Sequence, residues 1–195
     1  ATEAINLIAS SSGRTLTAGD EVLISEAEQN YIFKRSEPVI SWFDITEYAD
    51  SENKTILYSA IQRPAMENIQ NVLTEAGITL VGIEPAIIST LRALKHLNKI
   101  SEQIDNNQMW ALMKISSTGY SLSTMYGEKI IEYYNEPLAL KTYEGEEIYE
   151  TIYASLQIAL LNTQSDNLFI ISETDLVSAE NMSGRVPIDG EVTFL

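Results

Sequence analysis

The chain contains no cysteine and a single histidine, His96. Without thiols there is no disulfide framework, zinc–thiolate site or cysteine nucleophile, and one imidazole cannot build a histidine-rich metal centre. Basic residues are scarce as well: Lys and Arg number 12 against 28 Asp and Glu, a formal net charge of -16. A surface of that sign repels phosphate backbones and anionic lipid headgroups, which argues against a nucleic-acid partner and against membrane docking through a basic patch. No run of 18 apolar residues occurs, so no segment reads as a membrane-spanning helix. Residues 1–12 lack the basic-then-apolar order of a secretory signal, and the missing cysteines fit a reducing cytoplasm. What remains is ordinary for a globular protein: 195 residues, 45% hydrophobic and 21% charged, enough for one large domain or two small ones.

Periodicity divides the chain further. Residues 4–9 form an apolar run with strand character, and the apolar spacing of Val22, Leu23, Ala27 and Tyr31 predicts a helix over 20–33. Residues 38–48 and 55–61 are rich in β-formers around turn chemistry at 50–54, which predicts an antiparallel hairpin. Pro64 suits a first helical turn, and Met66, Ile69, Val72 and Leu73 continue the pattern until Gly77 ends it. Residues 78–83 read as a short buried strand, and 84–97 as another helix. The first unit is therefore 1–97, followed by a polar linker at 98–108 and a second unit at 109–195. In that second unit three strands are expected at 109–116, 120–126 and 129–134, the last two joined by a tight turn at Gly127-Glu128. A helix over 144–161, a strand at 167–171, a short helix over 173–181 and an extended end complete it. Three meandering strands, a helix and a further strand give the ribonuclease-H/actin-like layout, a mixed α/β fold with sheets flanked by helices.

Four stretches carry a family resemblance. Glu26-Ala27-Glu28-Gln29-Asn30-Tyr31-Ile32-Phe33 resembles the E-A-x-x-Y-I-P-F helix of the PilM family, actin-like proteins of type IV pilus assembly. Val72-Leu73-Thr74-Glu75-Ala76-Gly77-Ile78 is similar to that family's L-x-x-A-G-L helix end. Ile83-Glu84-Pro85, with Leu91-Arg92-Ala93-Leu94 after it, matches the family's I-E-P-x-x-x-x-L-R-A-L segment, and residues 109–134 resemble its next β-meander. GspL of type II secretion, MshI and BfpC share the architecture. The resemblance implies a degenerate actin-like fold whose first subdomain is missing or much shortened. It also implies a non-catalytic scaffold peripheral to the bacterial inner membrane, on the cytoplasmic side. Such a scaffold would link membrane assembly subunits of the pilus or secretion platform to the motor ATPase; homodimerisation is plausible for the family, and the residues neither support nor oppose it.

The alternative is a nucleotide-binding actin-like ATPase with diverged phosphate loops. Such enzymes use Asp-x-Gly hairpins, whose Asp holds Mg²⁺ and whose Gly lets backbone N–H groups reach phosphate, together with a Gly-rich adenosine loop. At the second phosphate hairpin this chain has Lys114-Ile115-Ser116-Ser117-Thr118-Gly119, with Lys114 in place of the Asp and Ser116 in place of the Gly. At the adenosine loop it has Ile171-Ser172-Glu173-Thr174-Asp175, and no P-loop motif occurs. The expectation is no catalytic residue, no metal site and no cofactor; ATP is disfavoured. Lys114, Ser116, Ser117, Thr118 and Gly119 mark the vestigial phosphate-loop positions. For Lys114 the plain expectation is an edge-strand lysine facing solvent, and for the hydroxyl cluster a turn. The acids Glu144, Glu146, Glu147 and Glu150 are expected to be a solvated helix start favoured by the macrodipole, His96 a helix-end residue, and Trp42 and Trp110 core. Residues 128–180 hold 11 acidic and 2 basic residues, a balance that attracts a basic partner.

Overall fold

The computed structural model describes residues 3–10, 38–44, 54–160, 165, 167–182, 184–187 and 190–195. The chain divides into two units, Ala1–Lys99 and Ile100–Leu195. The expected helix over 20–33 lies outside the described residues, as does the end of the strand expected at 38–48.

The first unit is built on a three-stranded antiparallel sheet of β1 (Glu3–Ser10), β2 (Pro38–Asp44) and β3 (Lys54–Gln62), in the order β1-β3-β2. The expected hairpin is the β2–β3 pair, in register at Trp42↔Tyr58 and Pro38↔Gln62. Pro38 occupies the first position of an edge strand, where its missing N–H costs no ladder bond. Tyr58, Ala60 and Ile61 of the central strand are buried. Helix α1 (Arg63–Glu75) follows at once, with Pro64 in its first turn. It ends as expected at Gly77: this residue takes φ +73°, its N–H bonds to Thr74 O at 3.0 Å and the N–H of Ile78 reaches Leu73 O at 2.8 Å. These are the two bonds of a Schellman cap, which needs a left-handed residue where glycine sits. Helix α2 (Ala86–His96) starts after Pro85 and buries Ile87 and Leu94. Glu84 anchors that start by accepting from Ser89 at 2.9 Å and pairing with Arg92.

Residues 78–83 are not a strand. The segment between the helices carries no regular structure, and Ile78, Val81 and Ile83 are exposed, Val81 at 98%. β-propensity describes a fit to a pleated surface and needs a neighbour to pair with. Among the described residues nothing hydrogen-bonds the backbone of residues 79–83.

The second unit opens with helix α3 (Ser101–Asp105), inside the polar stretch 98–108. Its sheet runs β6-β5-β4-β7-β8. Strands β4 (Met109–Ser116), β5 (Gly119–Tyr126) and β6 (Lys129–Glu136) form the antiparallel meander, with Tyr126 paired to Lys129 across the Gly127-Glu128 turn. Helix α4 (Glu146–Leu160) crosses over to β7 (Asn167–Ser172), which pairs parallel to β4, and β8 (Glu191–Phe194) adds parallel to β7. Three antiparallel strands, a helix, then parallel strands beyond the first is the ribonuclease-H order that the sequence pattern predicts. The short helix expected over 173–181 is reduced to α5 (Ala179–Met182), because residues 173–178 form turns instead. One sheet face packs Ala111, Met113, Ile115, Leu122, Leu168 and Ile170 against Ile148, Ile152 and Leu156 of α4. On the other face Trp110 is fully buried, donates from Nε1 to Gly127 O at 2.8 Å and meets the edge of Phe169 at 5.5 Å.

Candidate functional site

The parallel pairing of β4 with β7 brings the ends of these strands together, and with them the two places where nucleotide-binding devices are expected. Lys114 is not on an edge strand: β4 lies between β5 and β7, and the lysine side chain is only 23% exposed. Its Nζ stands 2.9 Å from Oε1 of Glu173. The backbone adds a bond beyond the ladder, with Glu173 N–H donating to Ile115 O at 2.8 Å. The two residues that the resemblance sets at the vestigial nucleotide positions therefore satisfy each other.

The hydroxyl cluster is a turn. Ser116 pairs with Gly119, leaving Ser117 and Thr118 as the loop. Ser116 Oγ donates to Gly119 O at 3.1 Å, accepts from Thr118 N–H at 3.3 Å, and lies 3.1 Å from Thr118 Oγ1. Gly119 has φ +143°, and a Cβ there would stand 2.1 Å from Glu136 O and 2.8 Å from Leu138 N. Glycine is required here because the end of β6 passes against the turn, a close backbone approach of the chain to itself. The turn after β7 is closed in the same way: Ser172 Oγ donates to Thr174 O at 2.9 Å, and Leu176 N–H donates to Thr174 Oγ1 at 3.3 Å. Ser116, Thr118, Ser172 and Thr174 thus spend their hydroxyls on local turns. Among the described residues no three His, Asp or Glu side chains gather as metal ligands.

The acids at the start of α4 are exposed, and Glu146 reaches across to Arg185, a contact between residues far apart in sequence. The Arg185 guanidinium sits 5.2 Å from the Tyr149 ring centroid. Tyr149 Oη accepts from Asn181 Nδ2 at 3.2 Å and from Ser178 N–H at 3.4 Å. Burial pushes this phenol up, but the hydrogen bonds from Asn181 and Ser178 and the charge of Arg185 outweigh it, leaving it below the ordinary tyrosine value. Sequence reasoning missed Arg185, Tyr149 and Asn181; the Glu-x-x-Tyr spacing at Glu146 was the available signal. His96 lies in the last turn of α2, and Trp42 is half-buried while Trp110 is core.

In the first unit, a groove of about 400 Å³ opens between the β2–β3 end of the sheet and the irregular segment before α2. Ile40, Ile61, Met66, Val81, Ile83 and Ile88 give it an apolar lining.

No family model matches the chain, and no curated protein matches it. Solved structures do. A PilM-PilN type IV pilus biogenesis complex superposes with a TM-score of 0.72 at 14% identity, over 99% of this chain and 66% of that one. The fold is actin-like. An actin-like ATPase-fold protein of unknown function from Bacteroides thetaiotaomicron superposes at 0.52 and 8% identity, over 98% of this chain and 64% of that one. The chain thus spans just under two thirds of the length of each of these two structures. Among its described residues no helix is long and apolar enough to cross a membrane.

Proposed function

We propose that this chain is a non-catalytic adaptor of a bacterial type IV pilus or type II secretion platform, coupling membrane assembly subunits to the motor ATPase. It works at the cytoplasmic face of the inner membrane, by conformational coupling and without bond chemistry, and needs no nucleotide. The observation that carries the reading is the Lys114–Glu173 ion pair at 2.9 Å. By the resemblance, this pair stands where an actin-like ATPase needs a free carboxylate and must accept a polyphosphate, which supports a chain that does without nucleotide. The likeness to a PilM structure solved with PilN supports the pilus assignment. The apolar groove of the first unit fits an extended segment of a membrane subunit, whose side chains would cover Val81 and Ile83.

Thermal unfolding with and without millimolar ATP and Mg²⁺ tests this. A ligand at 100 times its dissociation constant adds about 2.7 kcal/mol, which for a chain of this size moves Tm by several degrees. No shift is expected. A magnesium-dependent shift that Lys114→Ala abolishes would overturn the non-catalytic reading and restore the ATPase one.

A further inference from the structure

Helix α4 carries the same pair twice, one turn apart: Glu146-x-x-Tyr149 and Glu150-x-x-Tyr153. The first pair is occupied from within the chain. Arg185 packs its guanidinium over the Tyr149 ring at 5.2 Å and pairs with Glu146. The second pair lines a cleft of about 390 Å³, with Tyr149, Glu150 and Tyr153 on one side and Gly184 and Arg185 on the other. Tyr153 is 37% exposed, and its hydroxyl accepts from Gln157 at 3.0 Å, which holds it on the helix. Among the described residues neither Glu147 nor Glu150 forms an ion pair, although the Glu150 charge also acts on Arg185 across the cleft. The cleft thus shows how it treats a guanidinium, and the Glu150–Tyr153 pair repeats the arrangement with no cation of the described residues on its ring. A cation there gains both a carboxylate and a π-face, an arrangement stronger than either alone.

We propose that this cleft docks an arginine side chain of a basic partner segment, held between the Glu150 carboxylate and the Tyr153 ring. The surrounding charge suits that occupant, since residues 128–180 hold 11 acidic and 2 basic residues, which would steer a basic segment toward α4. This site is independent of the groove in the first unit and of the pilus assignment; it stands or falls on α4.

The probe is an end-blocked tetra-arginine peptide, titrated into the full chain by calorimetry and followed by amide-resolved NMR. Shifts concentrate at Tyr153, Gly184 and Arg185. Glu150→Gln and Tyr153→Ala combined weaken binding about tenfold or more, while Tyr153→Phe, which keeps the ring, binds as wild type. Glu75→Gln removes an equal charge from α1 and weakens binding less than Glu150→Gln does. Unchanged thermal unfolding of each variant shows that the fold is intact. Equal weakening by Glu75→Gln and Glu150→Gln, or shifts spread evenly over the acidic surface, overturns the proposal: the peptide would then be reading net charge alone. Loss of binding in Tyr153→Phe overturns it too, because a ring-face contact does not need the hydroxyl.

Discussion

The two units use similar ingredients to different ends. In the second, Trp110, Ala111, Leu112 and Met113 follow one another along β4 and none exceeds 1% exposure. A central strand covered on both faces has no outside. In the first, helix α1 is strongly amphipathic yet buries none of its residues fully, and Val72, Ile78 and Val81 are each more than half exposed. Amphipathic spacing ensures that a helix can bury a face; the depth of burial depends on what it meets. Among the described residues, the contrast separates a second unit whose apolar surface is used internally from the α1 and 78–83 surface of the first, which stays open, as the proposed adaptor role requires.

The sharpest way to test this contrast is to delete equivalent methyl groups in both units. Ile152→Ala, at a fully buried position of α4, should cost about 2–5 kcal/mol in denaturant unfolding. Ile69→Ala, on the half-buried face of α1, should cost about 1 kcal/mol or less. Equal losses would mean that α1 is covered in solution and the contrast is false. Backbone approach gives the next largest effect. Gly119→Ala must displace Glu136 O and should cost about 1–3 kcal/mol. Gly77→Ala meets no atom within 4 Å and should cost about 1 kcal/mol, from its left-handed φ alone.

Much of this contrast was readable in the sequence, for reasons that mark its limits. The meander over residues 109–136 and helix α4 declare themselves because each is set by local periodicity and a local turn. Gly77 shows the end of α1. The ends of α2 and α3 are closed by the same pair of bonds but use Asn98 and Asn107, at φ 54° and 48°, and asparagine punctuates less clearly than glycine. Residues 78–83 have strand composition, but a strand exists only with a partner, and composition does not name one. At the candidate site Lys114 and Glu173 could each be seen as a lost nucleotide contact. Only the parallel crossover shows that the two residues form one ion pair, and only the folded chain brings Glu146 to Arg185.

Smaller effects refine the picture within the second unit. Lys114→Met should lower stability by at most about 1 kcal/mol, since the pair is partly exposed. A double-mutant cycle with Glu173→Gln isolates the coupling, and a value of zero would leave the ion pair without energetic weight. An effect of similar size is expected at Tyr134, whose hydroxyl donates to Glu136 at 2.6 Å. That hydrogen bond, with burial and the nearby carboxylate, raises the phenol above its ordinary value of 10.0. A raised folded-state value means that the stabilisation is complete below pH 10 and is lost as pH rises through the higher folded value. Tyr134→Phe should therefore be less stable than wild type by about 0.5–1.5 kcal/mol at neutral pH, and the gap should close in strong alkali. A gap independent of pH would place the loss in packing instead.

The crossover that unites Lys114 with Glu173 also sets a schedule. β4 and β5 can zip as a hairpin within microseconds, whereas the other edge of β4 must wait for α4 and β7. On the ribosome, at about 5–20 residues per second, that edge stays bare for seconds. During that wait Lys114 has no Glu173 to meet and is a lone charge on an otherwise apolar strand, the kind of residue that discourages strand-to-strand aggregation. Replacing it with methionine should then raise the aggregated fraction on refolding by more than its small equilibrium cost implies, so that the lysine protects the nascent chain before it serves the finished fold.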